Sequence, residues 1–567
     1  MFTTGGRGGA VVHVTNLNAQ GTGSLADAVS APNRIVVFDV SGIIDLSRGK
    51  EDKLKGGKIA IDQPGITIAG QTAPGEGICL KGGVLEISAS NVIVRHLRSR
   101  RGFIRDTDSG DSIEVKPVAT GELATASGES AAAFEKRKKK KEGRDKVMKT
   151  FAPLADIMID HCSASWATDE NFTLTHADRT TMQYGIASEG LDYTNSKQTP
   201  PNHSEGSLWG SSAPGGRSTL HHTIYAHNRL RNPRTTGGAE EPAVLSLYNS
   251  IVYNWSEYAT HTGSERVHLN WLGNTYMPGP STPADLVIHG FEFHGDVQAR
   301  LFAQDNTIIG SNTGTADNRK AVGFGQKLRK LSDAEKAAMI VDQSFGPLPH
   351  DLQSAAEGLE NTLANAGATL PARDAVDLRI TNDARHSTGR IIGKETDLPE
   401  SQRWPRYRSL PSPVDSDHDG IPDFWEKQFS LNDYDPSDSA RLTACGYANV
   451  EHYFNNTDPR GGAMPMVFIA ASVSRAGAEQ PGEWRVTRTG DTSNSLTVIY
   501  SISGDAVAGN DFEALSGTVT FPGGKASIAI PLKAAGPLSG KMVVVTLTDG
   551  RGYHIGCPCS SLVVLGQ

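Results

Sequence analysis

Short segments of alternating apolar and polar residues recur along roughly the first 310 residues of the chain. They begin near Gly65, Asn91, Asp156, Thr180, Ser218, Ala243, Arg266 and Arg300. Each is rich in Val, Ile, Leu or Thr, as expected of short strands with one face buried. The segments repeat at roughly 24 residues, with longer intervals where the chain inserts, the signature of a coiled parallel β-solenoid with one rung per repeat. Too few helical segments lie between them for β-α-β units. A β-sandwich array is the alternative, but it needs no fixed period. The expected fold is all-β, a parallel β-helix.

Elsewhere the pattern changes. Residues 117–150 are rich in Ala, Glu and Lys and contain the basic run Glu135-Lys136-Arg137-Lys138-Lys139-Lys140-Lys141. Such a run reads as a solvated helix face or loop, with a tether for a polyanionic substrate as the alternative. Residues 327–375 read as a helical extension, with a capped start at Ser332-Asp333-Ala334-Glu335 and helical spacing from Ala355 to Ala366. A Pro/Ser/Asp-rich passage near 399–414 reads as a linker. Beyond Met464, short alternating strands with Gly, Asp and Asn turns predict an antiparallel β-sandwich. The expected division is a β-helix over 1–400, a linker over 401–463 and a sandwich over 464–567.

A chain of 567 residues exceeds one compact core. The net charge of −8 argues against nucleic acid as the main partner. No apolar run is long enough to span a bilayer. Cys79, Cys162, Cys445, Cys557 and Cys559 form neither a disulfide framework nor a zinc motif. Residues 1–6 lack the basic start and apolar stretch of a signal peptide. The expectation is a secreted monomer whose leader has been removed.

Three groups carry candidate chemistry. In Leu220-His221-His222-Thr223-Ile224-Tyr225-Ala226-His227-Asn228-Arg229-Leu230-Arg231-Asn232-Pro233-Arg234, alternation gives way to a proline-marked bend that brings Arg231 and Arg234 to the surface. Two neighbouring guanidiniums suit a carboxylate-bearing ligand. One of His221 and His222 is expected to be buried, and Asp160-His161 to pin a coil. Asp106, Asp108 and Asp111 follow one strand, and Asp169 and Glu170 follow another. Stacked rungs would align Asp111, Asp169 and Arg231 along one groove, and clustered carboxylates call for a divalent cation. Third, Asp415-Ser416-Asp417-His418-Asp419-Gly420-Ile421-Pro422-Asp423-Phe424-Trp425-Glu426 has EF-hand spacing. Its predicted structural calcium ligands are Asp415, Asp417, Asp419, the Ile421 carbonyl, Asp423 and Glu426.

Together these residues resemble a known family. Gly5-Gly6-Arg7-Gly8-Gly9, Ile68-Ala69-Gly70-Gln71-Thr72-Ala73-Pro74-Gly75, Asp160-His161-Cys162-Ser163, Ser204-Glu205-Gly206-Ser207-Leu208, Arg231-Asn232-Pro233-Arg234 and the stretch 361–377 are similar to pectate lyases of polysaccharide lyase family 1. The resemblance covers about residues 3–400. It implies a right-handed parallel β-helix, secretion, calcium dependence and cleavage of polygalacturonate (pectate) by β-elimination. It also implies Arg231 as the catalytic base, with Arg234, Lys197 and His203 toward substrate. The catalytic calcium would rest on Asp111, Asp169 and Glu170, Glu170 substituting because Thr173 stands at an expected acidic position. The tail resembles a Calx-beta domain through Gly482-Glu483-Trp484-Arg485-Val486 and Gly509-Asn510-Asp511-Phe512, with Glu479 and Asp511 as its plausible ligands.

Arginine is a poor base unless neighbouring cationic charge lowers its pKa, and calcium with Arg234 is expected to supply that charge. Two rival readings are a polygalacturonase-type glycoside hydrolase, which needs paired carboxylates and no arginine base, and a non-catalytic, calcium-stiffened adhesin that binds polyuronate.

Overall fold

The computed structural model describes residues 3–48, 56–105, 109–117, 119–122, 149–151, 154–175, 177–193, 203–211, 213–238, 241–263, 265–286, 289–462, 464–538 and 540–566. Three long parallel sheets of 11, 9 and 9 strands wind around one apolar interior. All eight segments expected from the alternation lie in the 11-stranded first sheet, from Ile66–Ala69 to Arg300–Gln304. Their registers are parallel, with Ile68 opposite Val94, Ile159 opposite Met182 and Leu220 opposite Leu247. Like residues therefore stack on like residues and fill the interior of the coil. The fold is a parallel β-helix.

Each coil passes through all three sheets, and the bend that leaves the first sheet uses the left-handed region. Directly after first-sheet strands, His96, His161, Tyr184, His222 and Asn249 have φ between 47° and 52°. Four of these side chains stack ring on ring along the axis, with centroids 4.7, 4.7 and 4.8 Å apart for His96–His161, His161–Tyr184 and Tyr184–His222. Offset aromatic stacking rewards this spacing. His161 thus joins a structural column. Both His221 and His222 are buried, not one of the pair, because the second turns with the bend.

The coil is plugged at both ends. Near its start, the short helix Leu25–Ala28, capped by Ser24, buries Leu25 and Ala28 in the interior. At the far end Leu328 and Met339 fill the last turns. The helices Ala355–Asn365 and Ala375–His386 cover the second sheet, packing Leu363, Ile380 and Ala384 on Ile186, Ile224 and Ile251. The second of these helices lies beyond the expected extension. The insertion begins and ends as an antiparallel ribbon of Ala119–Glu122 and Lys149–Phe151. Its lysine run lies outside the described residues, as do Asp106, Asp108 and Lys197.

The linker does not swing free of the coil. Leu410 N–H donates to Pro74 O at 2.9 Å, and Arg408 N–H donates to Glu76 Oε2 at 2.7 Å. After it, two sheets of four and five strands form the C-terminal sandwich around Trp484, Val486, Val498, Phe521 and Val545.

Candidate functional site

Four successive coils reach the third sheet at the same level. Asp111 precedes the strand Ile113–Val115, Glu170 opens Glu170–Leu174, Glu205 opens Glu205–Gly210, and Arg231 lies in the turn before Arg234–Thr236. Ser112 N–H donates to Glu170 O, Glu170 stands opposite Glu205, and Glu205 bridges to Leu230. Adjacent strands are about 4.8 Å apart, so residues distant in sequence become neighbours in a column.

Buried asparagines hold the turn that carries Arg231. Asn171 donates to Asn228 Oδ1 at 3.1 Å, and Asn228 donates to Asn232 Oδ1 at 3.1 Å and to Ala187 O at 2.9 Å. Asn228 Oδ1 also accepts from Gly190 N–H at 2.9 Å. Arg231 itself has φ +59°, a region that side chains other than Gly avoid. Replacing Asn228 by Leu is expected to leave these donors and acceptors unmet, at about 1–3 kcal/mol each. The check is a lowered midpoint in urea unfolding, with catalytic rate falling because the Arg231 turn loses its support.

Charge is concentrated here. The Arg231 guanidinium donates to Glu170 and lies 2.5 Å from Glu205 Oε2. His203 Nδ1 is 3.1 Å from Asp169 Oδ1, and its Nε2 is 3.6 Å from Glu205 Oε1. The Ser109 hydroxyl donates to Asp169 Oδ2 at 2.9 Å. Burial, then Glu170, pushes the Glu205 carboxyl up to about 9; burial, then Asp169, pushes Glu170 up to about 7. Asp111 is raised well above the ordinary range by burial and by Glu170. Asp169 is lowered: burial opposes its charge, but the bonds from His203 and Ser109 outweigh that.

Arg231 runs against expectation. Burial opposes its charge, but Glu170, Glu205 and Asp169 together raise its pKa. The groups acting on it are carboxylates, and Arg234 instead faces Glu265 at 4.0 Å. In this arrangement Arg231 is held as a cation.

Asp111, Asp169 and Glu170 bring carboxylate oxygens within 4.8 Å of one another, as do the ligand atoms of Asp169, His203 and Glu205. Asp111 and Glu170 favour protonation even with Arg231 alongside, and oxygens crowded in this way fit a hard divalent cation such as calcium. A cleft of about 490 Å³ opens beside them, lined by Arg48, Lys58, Arg101 and Lys116 as well as Asp111 and Asp169. Glu205, absent from the expected ligands, also belongs to this cluster. Counting one rung from Glu170 would have found it.

The loop 415–426 gathers a second acidic group. Asp415, Asp417 and Asp419 converge, and Asp419 converges again with Glu426 and Asp438. Asp423 turns away: its carboxylate accepts from Ser416 N–H at 2.8 Å and from the Ser416 hydroxyl at 2.9 Å. Ile421 is buried and its N–H donates to Asp419. Asp438 escapes a motif reading because it lies twelve residues past the loop's last position. In the sandwich, Lys541 Nζ lies 3.0 and 2.8 Å from the two oxygens of Asp511, a cation already in place at the expected calcium ligand.

Acidic side chains and an arginine are thus stacked along one edge of a parallel β-helix. No family model matches the chain. It is 31% identical over 466 residues to probable pectate lyase C of Aspergillus terreus, covering 80% of this chain and 91% of the relative. It is likewise 31% identical over 467 residues to probable pectate lyase C of Emericella nidulans, covering 81% and 90%. The chain belongs to the pectate lyase family. Among solved structures, the major allergen from cedar pollen is 14% identical, covers 64% of this chain and 90% of that one, and gives a TM-score of 0.37. The apo form of the Calx CBD1 domain is 22% identical, covers 18% and 97%, and gives 0.16.

Proposed function

We propose that the protein is a secreted, calcium-dependent pectate lyase that cleaves α-1,4-polygalacturonate by β-elimination. The observation that carries this reading is the registered column of Asp111, Asp169, Glu170, Glu205 and Arg231 across four coils. Calcium bound by Asp111, Asp169 and Glu170 would supply charge neutralisation and polarise a uronate carboxylate, making the adjacent C5 proton more acidic.

The chain's own groups do the rest. Arg231 is the base for the C5 proton, a role open to it only when Glu170 and Glu205 no longer hold it protonated. The C5–H and C4–O bonds break, a C4=C5 double bond forms, and the departing oxygen gains a proton. Arg234, half-buried and only loosely paired with Glu265, is suited to a second uronate carboxylate. His203 orients Asp169 and Glu205, a positioning role, where the sequence alone suggested substrate contact.

The test is incubation with polygalacturonate and calcium, followed by ultraviolet absorbance and product mass. Absorbance from the new double bond, abolished by a chelator, is the expected result. A product heavier by one water would assign a glycoside hydrolase, and binding without chain shortening an adhesin.

A further inference from the structure

The acidic loop 415–426 stands where three parts of the molecule meet. Ile421, Trp425 and Phe429 are buried with Ile35, Val37 and Ala69 of the coil and with Met466 and Cys557 of the C-terminal region. On the coil side, His13 of the first strand lies 3.7 Å from Asp415 Oδ2 and 3.0 Å from Asp39 Oδ1. On the sandwich side, Gln428 donates to Ile555 O at 3.0 Å and accepts from Ile555 N–H at 2.7 Å.

Between these contacts, charge is left unanswered. Glu426 is fully buried and neither of its carboxylate oxygens has a hydrogen-bond partner. Asp417 Oδ2, Asp419 Oδ2 and Asp438 Oδ1 are buried without one as well. A buried carboxylate lacking both donor and cation costs several kcal/mol, and the neighbouring carboxylates add repulsion. The donor set is all oxygen, which suits calcium above softer metals. With Asp423 committed to Ser416, the ligand it would have given at that level comes from Asp438.

We propose that Asp415, Asp417, Asp419, Glu426 and Asp438 bind one structural calcium ion, which fastens the C-terminal sandwich to the first coils of the β-helix. This site is separate from the groove, and it stands whether or not the lyase reading does. The ion would neutralise Glu426 between the two bodies and fix the helix Asp423–Phe429 that touches both.

The experiment uses the full chain stripped by a chelator, with terbium as the probe. Trp425, next to Glu426, is the expected sensitiser of terbium luminescence. Wild type and Asp169→Asn should both show the signal, and Glu426→Gln and Asp438→Asn should lose it. In parallel, limited proteolysis follows separation of the sandwich from the coil. Calcium a hundredfold above its Kd should slow that cleavage roughly a hundredfold in wild type and Asp169→Asn, but not in Glu426→Gln or Asp438→Asn. The wild-type measurement needs no variant to fold. Equal cleavage with and without calcium overturns the proposal, and so does a signal or protection lost in Asp169→Asn but kept in Asp438→Asn.

Discussion

Arg231→Lys is expected to lower turnover on polygalacturonate by on the order of 10²–10⁴-fold, the usual contribution of a positioned base. Lysine is the informative replacement because it keeps a cation between Glu170 and Glu205, which are both buried. Alanine would leave those carboxylates to repel each other, and a loss of rate would then mix chemistry with folding. One nitrogen, Nη1, meets both carboxylates, and the lysine ammonium can take its place while lacking the rest of the guanidinium. Its unfolding midpoint should therefore stay near that of the parent while the double-bond signal disappears. Retention of most activity would remove Arg231 from the role of base.

Arg100→Leu is expected to cost about 3–5 kcal/mol of stability, the range for breaking a buried ion pair from one side. Arg100 is fully buried; its Nη1 is 2.8 Å from Asp374 Oδ2 and its Nη2 is 2.7 Å from Asp377 Oδ1. It also donates to the Tyr407 hydroxyl at 3.0 Å. Asp374 caps the helix Ala375–His386, so one guanidinium ties the second sheet to the helix covering it and to the linker. Burial alone would raise the Asp374 carboxyl, but Arg100 and Arg98 overcome it and hold the group at about 2. A folded pKa below the unfolded one gives stability that is present above roughly pH 4 and lost as pH falls toward 2. The parent should weaken over that window. The variant should start weaker and show a shallower slope there. Urea unfolding followed by fluorescence of the buried Trp166 measures both, and an unchanged midpoint would refute the argument.

The first sheet was legible because its strands are long enough to alternate. The second-sheet strands Ser163–Ser165, Ile186–Ser188 and Ile224–Ala226 have three residues each, too few for a period, and both the coil and the helices bury them. The helix Ala355–Asn365 was legible from its spacing, whereas Ala375–His386, capped by Asp374, starts where the expected extension stops. At the site, Asp111, Asp169, Glu170 and Arg231 could be gathered by supposing that rungs stack. Glu205 follows from the same stacking, one rung beyond Glu170, whereas Asp438 joins its group only through tertiary folding. The electrostatic sign at Arg231 was illegible for the same reason: it depends on which charges the register brings alongside, and register is not written in any single segment.

The plugged ends carry a consequence for the molecule as a whole. A parallel ladder offers a row of unpaired N–H and C=O groups at each extremity, and nothing in its geometry says where to stop. Left bare, the last strand of one copy would suit the first strand of another, a head-to-tail contact that builds filaments rather than closed assemblies. Leu25 and Ala28 at the start, with Leu328 and Met339 at the finish, close the apolar interior, so that no further coil is needed to cover it. The finite length of this protein is thus a built property, maintained by a few side chains far from any chemistry.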